Sequence, residues 1–126
     1  MLEILIDKKA MKYIRKLDEN LRRAVESLND PGLVDKFLKK ASRIVDKIHN
    51  EYCIDSECDS LVLVIDNIYY NIYYNILQIL DEAVKNNITS DKAIELVEKY
   101  LSKLERLLPK EHREEGSLIR RLFELF

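Results

Sequence analysis

The chain has 126 residues, of which 47% are hydrophobic and 35% charged, with only two glycines and two prolines. That length supports one domain, 1–126, with a single core; the composition excludes a disordered tail, and so few breakers leave room for long helices and little else. The net charge of −2 hides a basic first half, twelve Lys/Arg against eight Asp/Glu over residues 1–50, and an acidic second half, nine against fifteen over residues 51–126.

No early stretch combines a basic start, an apolar run and a small-residue cleavage site, which predicts a cytoplasmic protein. Leu, Ile, Lys and Glu are the commonest residues and Gln occurs once, a thermophile-like composition.

The first helix is expected from about Asp7 to Leu28, because Met11, Ile14, Leu17, Leu21, Val25 and Leu28 recur at helical spacing. Leu2 to Ile6 extend it or form a short arm. Asp30-Pro31-Gly32 breaks the pattern, and Asp30 as cap with Pro31 at the first helical position starts helix two. Its apolar face is Val34, Phe37, Leu38, Ala41, Ile44, Val45, Ile48 and Tyr52. The stretch CIDSECDS, Cys53 to Ser60, reads as a polar connector.

Helix three is expected from Ser60 to Asn86 and carries NIYYNIYYN, Asn67 to Asn75. A four-residue repeat drifts only about 40° per step on a helix, so Asn67, Asn71, Asn75 and Gln78 share one sector. Tyr70 and Tyr74 flank that sector with rings buried and hydroxyls wet, while Tyr69 and Tyr73 point away toward Ile65, Ile72, Ile76 and Leu80. Polar interruptions exclude a membrane span. Dividing the rings between two faces argues against a base-stacking ladder. A helix apolar over most of its circumference belongs in a bundle centre or an oligomer interface, and Leu61 to Ile65 invite a second chain.

Thr89 or Ser90 is expected to cap helix four, whose face is Ile94, Val97, Tyr100, Leu101, Leu104 and Leu108 before Pro109 ends it. KEHREEG is a charged linker, and Ser117 can cap a last helix, Leu118 to Phe126. The fold expected is all-α, an antiparallel bundle of four long helices plus this short one.

Four groups of residues invite a functional reading. His49 and Cys53 lie four apart and Cys58 five further on. They offer a metal three ligands, with Asp55, Glu57 or Asp59 as a fourth; a Cys53–Cys58 disulfide or two unpaired cysteines beside an exposed histidine are the alternatives. On balance no metal or cofactor is expected. Lys36, Lys40, Arg43 and Lys47 form a stripe on helix two, and Lys8, Lys12, Arg15, Lys16, Arg22 and Arg23 a similar one on helix one. Together they suggest a phosphate-binding surface, although Asp18, Glu19, Asp35 and Asp46 are interspersed as on an ordinary solvated face.

Arg106 and His112 read R-x5-H late in an all-helical chain, which resembles the Arg-His pair of the HEPN ribonucleases, helical bundles in which those two residues serve RNA cleavage. Leu107 stands where those families usually place Asn or Asp, and Arg43 and His49 repeat the spacing within helix two. The C-terminal IRRLFELF resembles the motifs by which replication and repair proteins dock on the sliding clamp, with Leu122, Leu125 and Phe126 as anchors. Ile119 replaces the usual Gln. The competing reading of residues 117–126 is a helix that closes the bundle.

The function expected is a non-catalytic interaction protein, an accessory subunit or adaptor that binds protein and self-associates into a homo-oligomer. A nucleic-acid-binding subunit is the alternative, and a HEPN-like ribonuclease the third.

Overall fold

Asp7 starts the first helix: its side-chain Oδ1 accepts the Ala10 backbone N–H at 2.7 Å, satisfying one of the donors that a helix start leaves open. This is a computed structural model, and it describes residues 7–86 and 91–108. From Asp7, α1 runs Lys8–Glu26 and gives way to a tight turn in which the Ser27 N–H bonds Ala24 O and the Asp30 N–H bonds Ser27 O. Asp30 caps α2, Pro31–Tyr52, through Leu33 N–H, and Pro31 fills the first turn, where its missing N–H costs nothing. After a two-stranded hairpin come α3, Ser60–Asn86, and α4, Asp91–Glu105.

The protein is therefore all-α, with four long helices among the described residues, as the periodicity predicts. The expected arm at residues 2–6, the Thr89 or Ser90 cap and the last helix lie outside the described residues. Among the described residues no helix is long and apolar enough to cross a membrane.

α1 packs most extensively on α2, and α3 on α4; the two hairpins then meet through thinner seams, α2 on α3 and α1 on α4. One core runs through all four. Ile14, Leu17, Leu21, Ile48, Ile65, Ile72, Ile76, Leu101 and Leu104 are fully enclosed in it, each such side chain contributing about 1.5–3 kcal/mol.

α3 is the most apolar helix, and its core face is the expected one at Tyr69, Ile72 and Ile76. Tyr73 and Leu80, expected to be buried, are only half-buried, because they border the α2–α3 seam. The polar sector drifts with the helical period. Asn67 faces solvent, Asn71 is half-buried and Asn75 is buried, because the 40° drift per step carries the third asparagine round toward the core. Asn75 meets its burial locally, donating to Asn71 O at 2.6 Å, as Asn71 does to Asn67 O at 2.7 Å.

The connector expected between α2 and α3 is an antiparallel hairpin, β1 (Cys53–Ile54) paired with β2 (Glu57–Cys58). Asp55 and Ser56 both take positive φ, 51° and 71°, which a two-residue hairpin turn of the primed type requires. The same end of the bundle is tied to α1. Tyr52 Oη–H donates to Asp7 Oδ1 at 2.9 Å, and Lys9 Nζ meets Glu51 Oε1 at 2.6 Å. Burial, followed by the bond to Asp7, pushes the Tyr52 phenol up to about 12. The Ala10 N–H, followed by the Tyr52 hydroxyl, holds the Asp7 carboxyl below its ordinary value.

Candidate functional site

His49 lies on the last turn of α2, Asp66 in the second turn of α3, and the hairpin between them brings the two helix ends together. His49 Nε2 is 2.7 Å from Asp66 Oδ1. The carboxylate accepts, so Nε2 donates this bond and Nδ1 is the ring nitrogen left for a second contact. That Nδ1 sits 3.8 Å from Cys53 Sγ. Cys53 is itself held rigidly as the C-cap of α2, its N–H bonded to His49 O.

Cys53 and Cys58 stand directly opposite each other in the hairpin ladder, with Cα atoms 4.0 Å apart, and their sulfurs are bonded. This corrects the reading of two unpaired cysteines beside an exposed histidine. The physical reason is register: the two-residue turn places residues 53 and 58 face to face on the same side of the ladder. The metal reading of His49, Cys53 and Cys58 does not describe this oxidised state, because a disulfide sulfur is no thiolate ligand. The grouping itself is real, with one ligand atom from each residue lying within 4.8 Å of the others.

The tyrosines of α3 make a second cluster. Tyr69 is buried, while Tyr70 and Tyr74 are 50% and 63% exposed, a departure from the expectation that their rings would be covered. The division between two faces is incomplete as well. Neighbouring residues are only about 100° apart on a helix, and the rings touch in a chain: Tyr69 to Tyr70 at 5.3 Å, Tyr70 to Tyr74 at 6.3 Å, Tyr74 to Tyr73 at 5.6 Å and Tyr73 to Tyr69 at 5.9 Å. Tyr69, Tyr70 and Tyr73 form one wall of a groove whose other wall is Pro31, Val34 and Leu38 of α2. Burial raises the Tyr69 phenol above its ordinary value, an effect that the Ser42 hydroxyl partly offsets.

Lys8, Lys12, Lys36, Lys40, Arg43 and Lys47 are all exposed, as a binding stripe would require. Arg23 from α1 joins Lys36 and Lys40 around the Phe37 ring at 5.8–5.9 Å, a cation–π cluster across the helical hairpin. The neighbouring Lys39 is paired to Asp35 at 2.9 Å.

Two residues of the solvated face are misplaced in the sequence reading. Asp18 and Arg22 are buried, at 6% and 7% exposure. Arg22 Nε donates to Asp18 Oδ2 at 2.8 Å, and its Nη2 reaches Glu105 Oε1 of α4 at 3.4 Å. The i,i+4 spacing of Asp18 and Arg22 is visible in the chain; that α4 would cover it is not. Glu98, also on α4, has a buried Oε1 with no hydrogen-bond partner among the described residues and a carboxyl that burial raises above its ordinary value.

Of the remaining candidates, Arg106 is exposed just beyond α4, while His112 and the trio Leu122, Leu125 and Phe126 lie outside the described residues. Arg43 is exposed and His49 is engaged with Asp66, so the second R-x5-H pair does not form a unit. No protein-family model matches this chain, and neither does a curated protein or a solved structure.

Proposed function

We propose that this chain is a non-catalytic, cytoplasmic interaction protein that self-associates through an exposed seam of α3. The observation that supports the reading is a heptad strip on the outer side of that helix. Leu63, Tyr70 and Leu77, spaced seven apart, are 64%, 50% and 40% exposed, and Tyr74, four beyond Tyr70, is 63% exposed. With Asn67 and Asp81, both exposed, they follow the alternating three- and four-residue steps of a coiled-coil seam.

A second copy is the occupant that fits this strip. In antiparallel pairing about a two-fold axis level with Ile72, Tyr70 meets the second copy's Tyr74 twice over, Asn67 meets its Leu77, and Leu63 meets its Asp81. Asp81 is thereby brought toward the end of the bundle where Lys103 and Arg106 flank Leu63. A single asparagine within such a seam is a device for fixing register.

Sedimentation equilibrium or light scattering tests it. The intact protein is expected to exceed the 14.9 kDa of one chain, and the double variant Leu63→Glu, Tyr74→Glu to sediment as a monomer with unchanged helicity. A monomer at millimolar wild-type concentration overturns the proposal. Removing residues 117–126 checks the competing role of Leu122, Leu125 and Phe126. A truncated chain that associates more strongly than the intact one identifies that segment as the natural cover of the strip and also overturns it.

The Arg23, Lys36 and Lys40 cluster around Phe37 favours a second reading, a nucleic-acid-binding surface. Fluorescence anisotropy on short RNA and DNA should then show binding that falls steeply with salt and weakens when Lys36, Lys40 and Arg43 are changed to Glu.

A further inference from the structure

The hairpin end of the bundle holds three facts that the interaction reading leaves unused. The two cysteines are opposed by the ladder register, so cleaving the disulfide leaves both sulfurs on the same side of a hairpin that Tyr52 O and Asp59 N–H continue to pin at 3.0 Å. A third ligand, His49 Nδ1, is already at 3.8 Å from Cys53 Sγ, and the three ligand atoms fall within 4.8 Å of one another. Finally, Asp66 holds the far nitrogen of the same ring at 2.7 Å. A carboxylate on the second nitrogen is the arrangement that orients metal-binding histidines and keeps the ligating nitrogen unprotonated.

From these facts we propose that the hairpin is a redox-gated site for a thiophilic divalent cation, zinc in the first instance. In the oxidised state the sulfurs bind each other. A dithiol reductant transfers two electrons and two protons to the disulfide, giving the Cys53 and Cys58 thiols while the reductant itself becomes a disulfide. Zinc then displaces one proton from each thiol and takes Cys53 Sγ, Cys58 Sγ and His49 Nδ1 as three ligands. The fourth position is left for water or for one of the hairpin carboxylates. Re-oxidation by a disulfide returns the Cys53–Cys58 bond. The two electrons pass to the incoming disulfide, which takes up two protons and leaves as thiols, and the cation is released.

All three ligand residues are partly exposed, so both the reductant and the cation have access. Asp66 acts here as a positioning residue. Its removal leaves the three ligands in place but frees the ring to turn and to change tautomer.

Cobalt(II) is the probe, because its visible bands report tetrahedral geometry and its near-ultraviolet band reports thiolate ligation. The full chain is reduced with a phosphine, its thiols are counted, and its helicity is checked by circular dichroism before titration under argon. The reduced protein is expected to bind about one equivalent, to show both sets of bands, and to release about two protons per cation. Zinc should displace the cobalt, and the oxidised protein should show no bands. His49→Ala should lose the tetrahedral signature, and Asp66→Asn should weaken affinity by about 10–100-fold. Reduced, helical protein without cobalt bands overturns the proposal. So does a His49→Ala spectrum identical to that of the unaltered chain, or reduction that unfolds the bundle, since the site requires the hairpin in place.

Discussion

The two seams between the helical hairpins are built on opposite principles. The α1–α4 seam is closed by charge, with Arg22 buried between Asp18 and Glu105. The α2–α3 seam is lined with tyrosine and aliphatic side chains and stands partly open, with Tyr73 half-covered and Tyr70 half-exposed. The contrast shows what each can tolerate. A buried ion pair is intolerant of losing one member, because the remaining charge has nowhere to go. An open aromatic seam contributes little to the single chain and is available for a second surface.

The sharpest way to break this comparison is Arg22→Ala. It takes the guanidinium away from two carboxylates at the edge of the core and should cost about 3–5 kcal/mol in a urea melt. Tyr70→Ala, measured on dilute monomer, should move stability by no more than about 0.5 kcal/mol. Comparable losses from the two substitutions would show that the seams are not different in kind. Replacing Arg22 by Met together with Asp18 by Leu and Glu105 by Leu sharpens the point, since an apolar junction of similar volume should recover most of the loss.

The hairpin that joins the two seams comes next in size. Cys53→Ser removes a cross-link over a short loop, for which chain entropy allows about 2 kcal/mol at most. Differential scanning calorimetry should show that loss under oxidising conditions and no difference from the unaltered chain once both are reduced.

Glu98 tests the closed side from the direction of pH. Burial raises its folded value above the ordinary glutamate value of 4.5. Its neutral form is therefore favoured in the fold, and stability declines as pH rises from that ordinary value through the folded one. Glu98→Gln, which removes the charge that burial disfavours, should stabilise the protein slightly at neutral pH. The advantage should vanish in acid. A variant equally stable at both pH values would show that the charge is not what costs.

The smallest effect expected is at Asp7. Its folded value is lowered from the ordinary 3.8, so its contribution is present above that pH and is lost as pH falls through the folded value. Asp7→Asn should lower the melting temperature slightly at neutral pH and leave it unchanged at strongly acid pH. A loss that persists in acid would assign the role to packing of Tyr52 rather than to the carboxylate.

Most of the helical architecture is legible from the chain. Asp30-Pro31 marks the start of α2 and the three-four spacing of Ile14, Leu17, Leu21 and Val25 its partner face, because helix starts and amphipathic stripes are decided by residues within a turn or two of one another. The same locality made the cysteine spacing and the His49–Cys53 adjacency visible, though not their bonding. Other features depended on which helix would lie over which. Asp18 and Arg22 share the local pattern of a solvated i,i+4 pair and become a buried junction only because α4 crosses them. Tyr70 and Tyr74 look like ring-burying positions and are left in solvent, Tyr70 because the α2–α3 seam does not close over it and Tyr74 because it lies outside that seam. Asp66, the residue that orients His49, is seventeen positions away in the chain, and no local period links the two. Sequence by itself determined the helices and their apolar faces, since those follow from short-range backbone and solvation energies. Tertiary structure decided which polar groups are buried, which aromatic rings are exposed and which side chains meet at the hairpin, because those depend on contacts between elements that the local pattern does not encode.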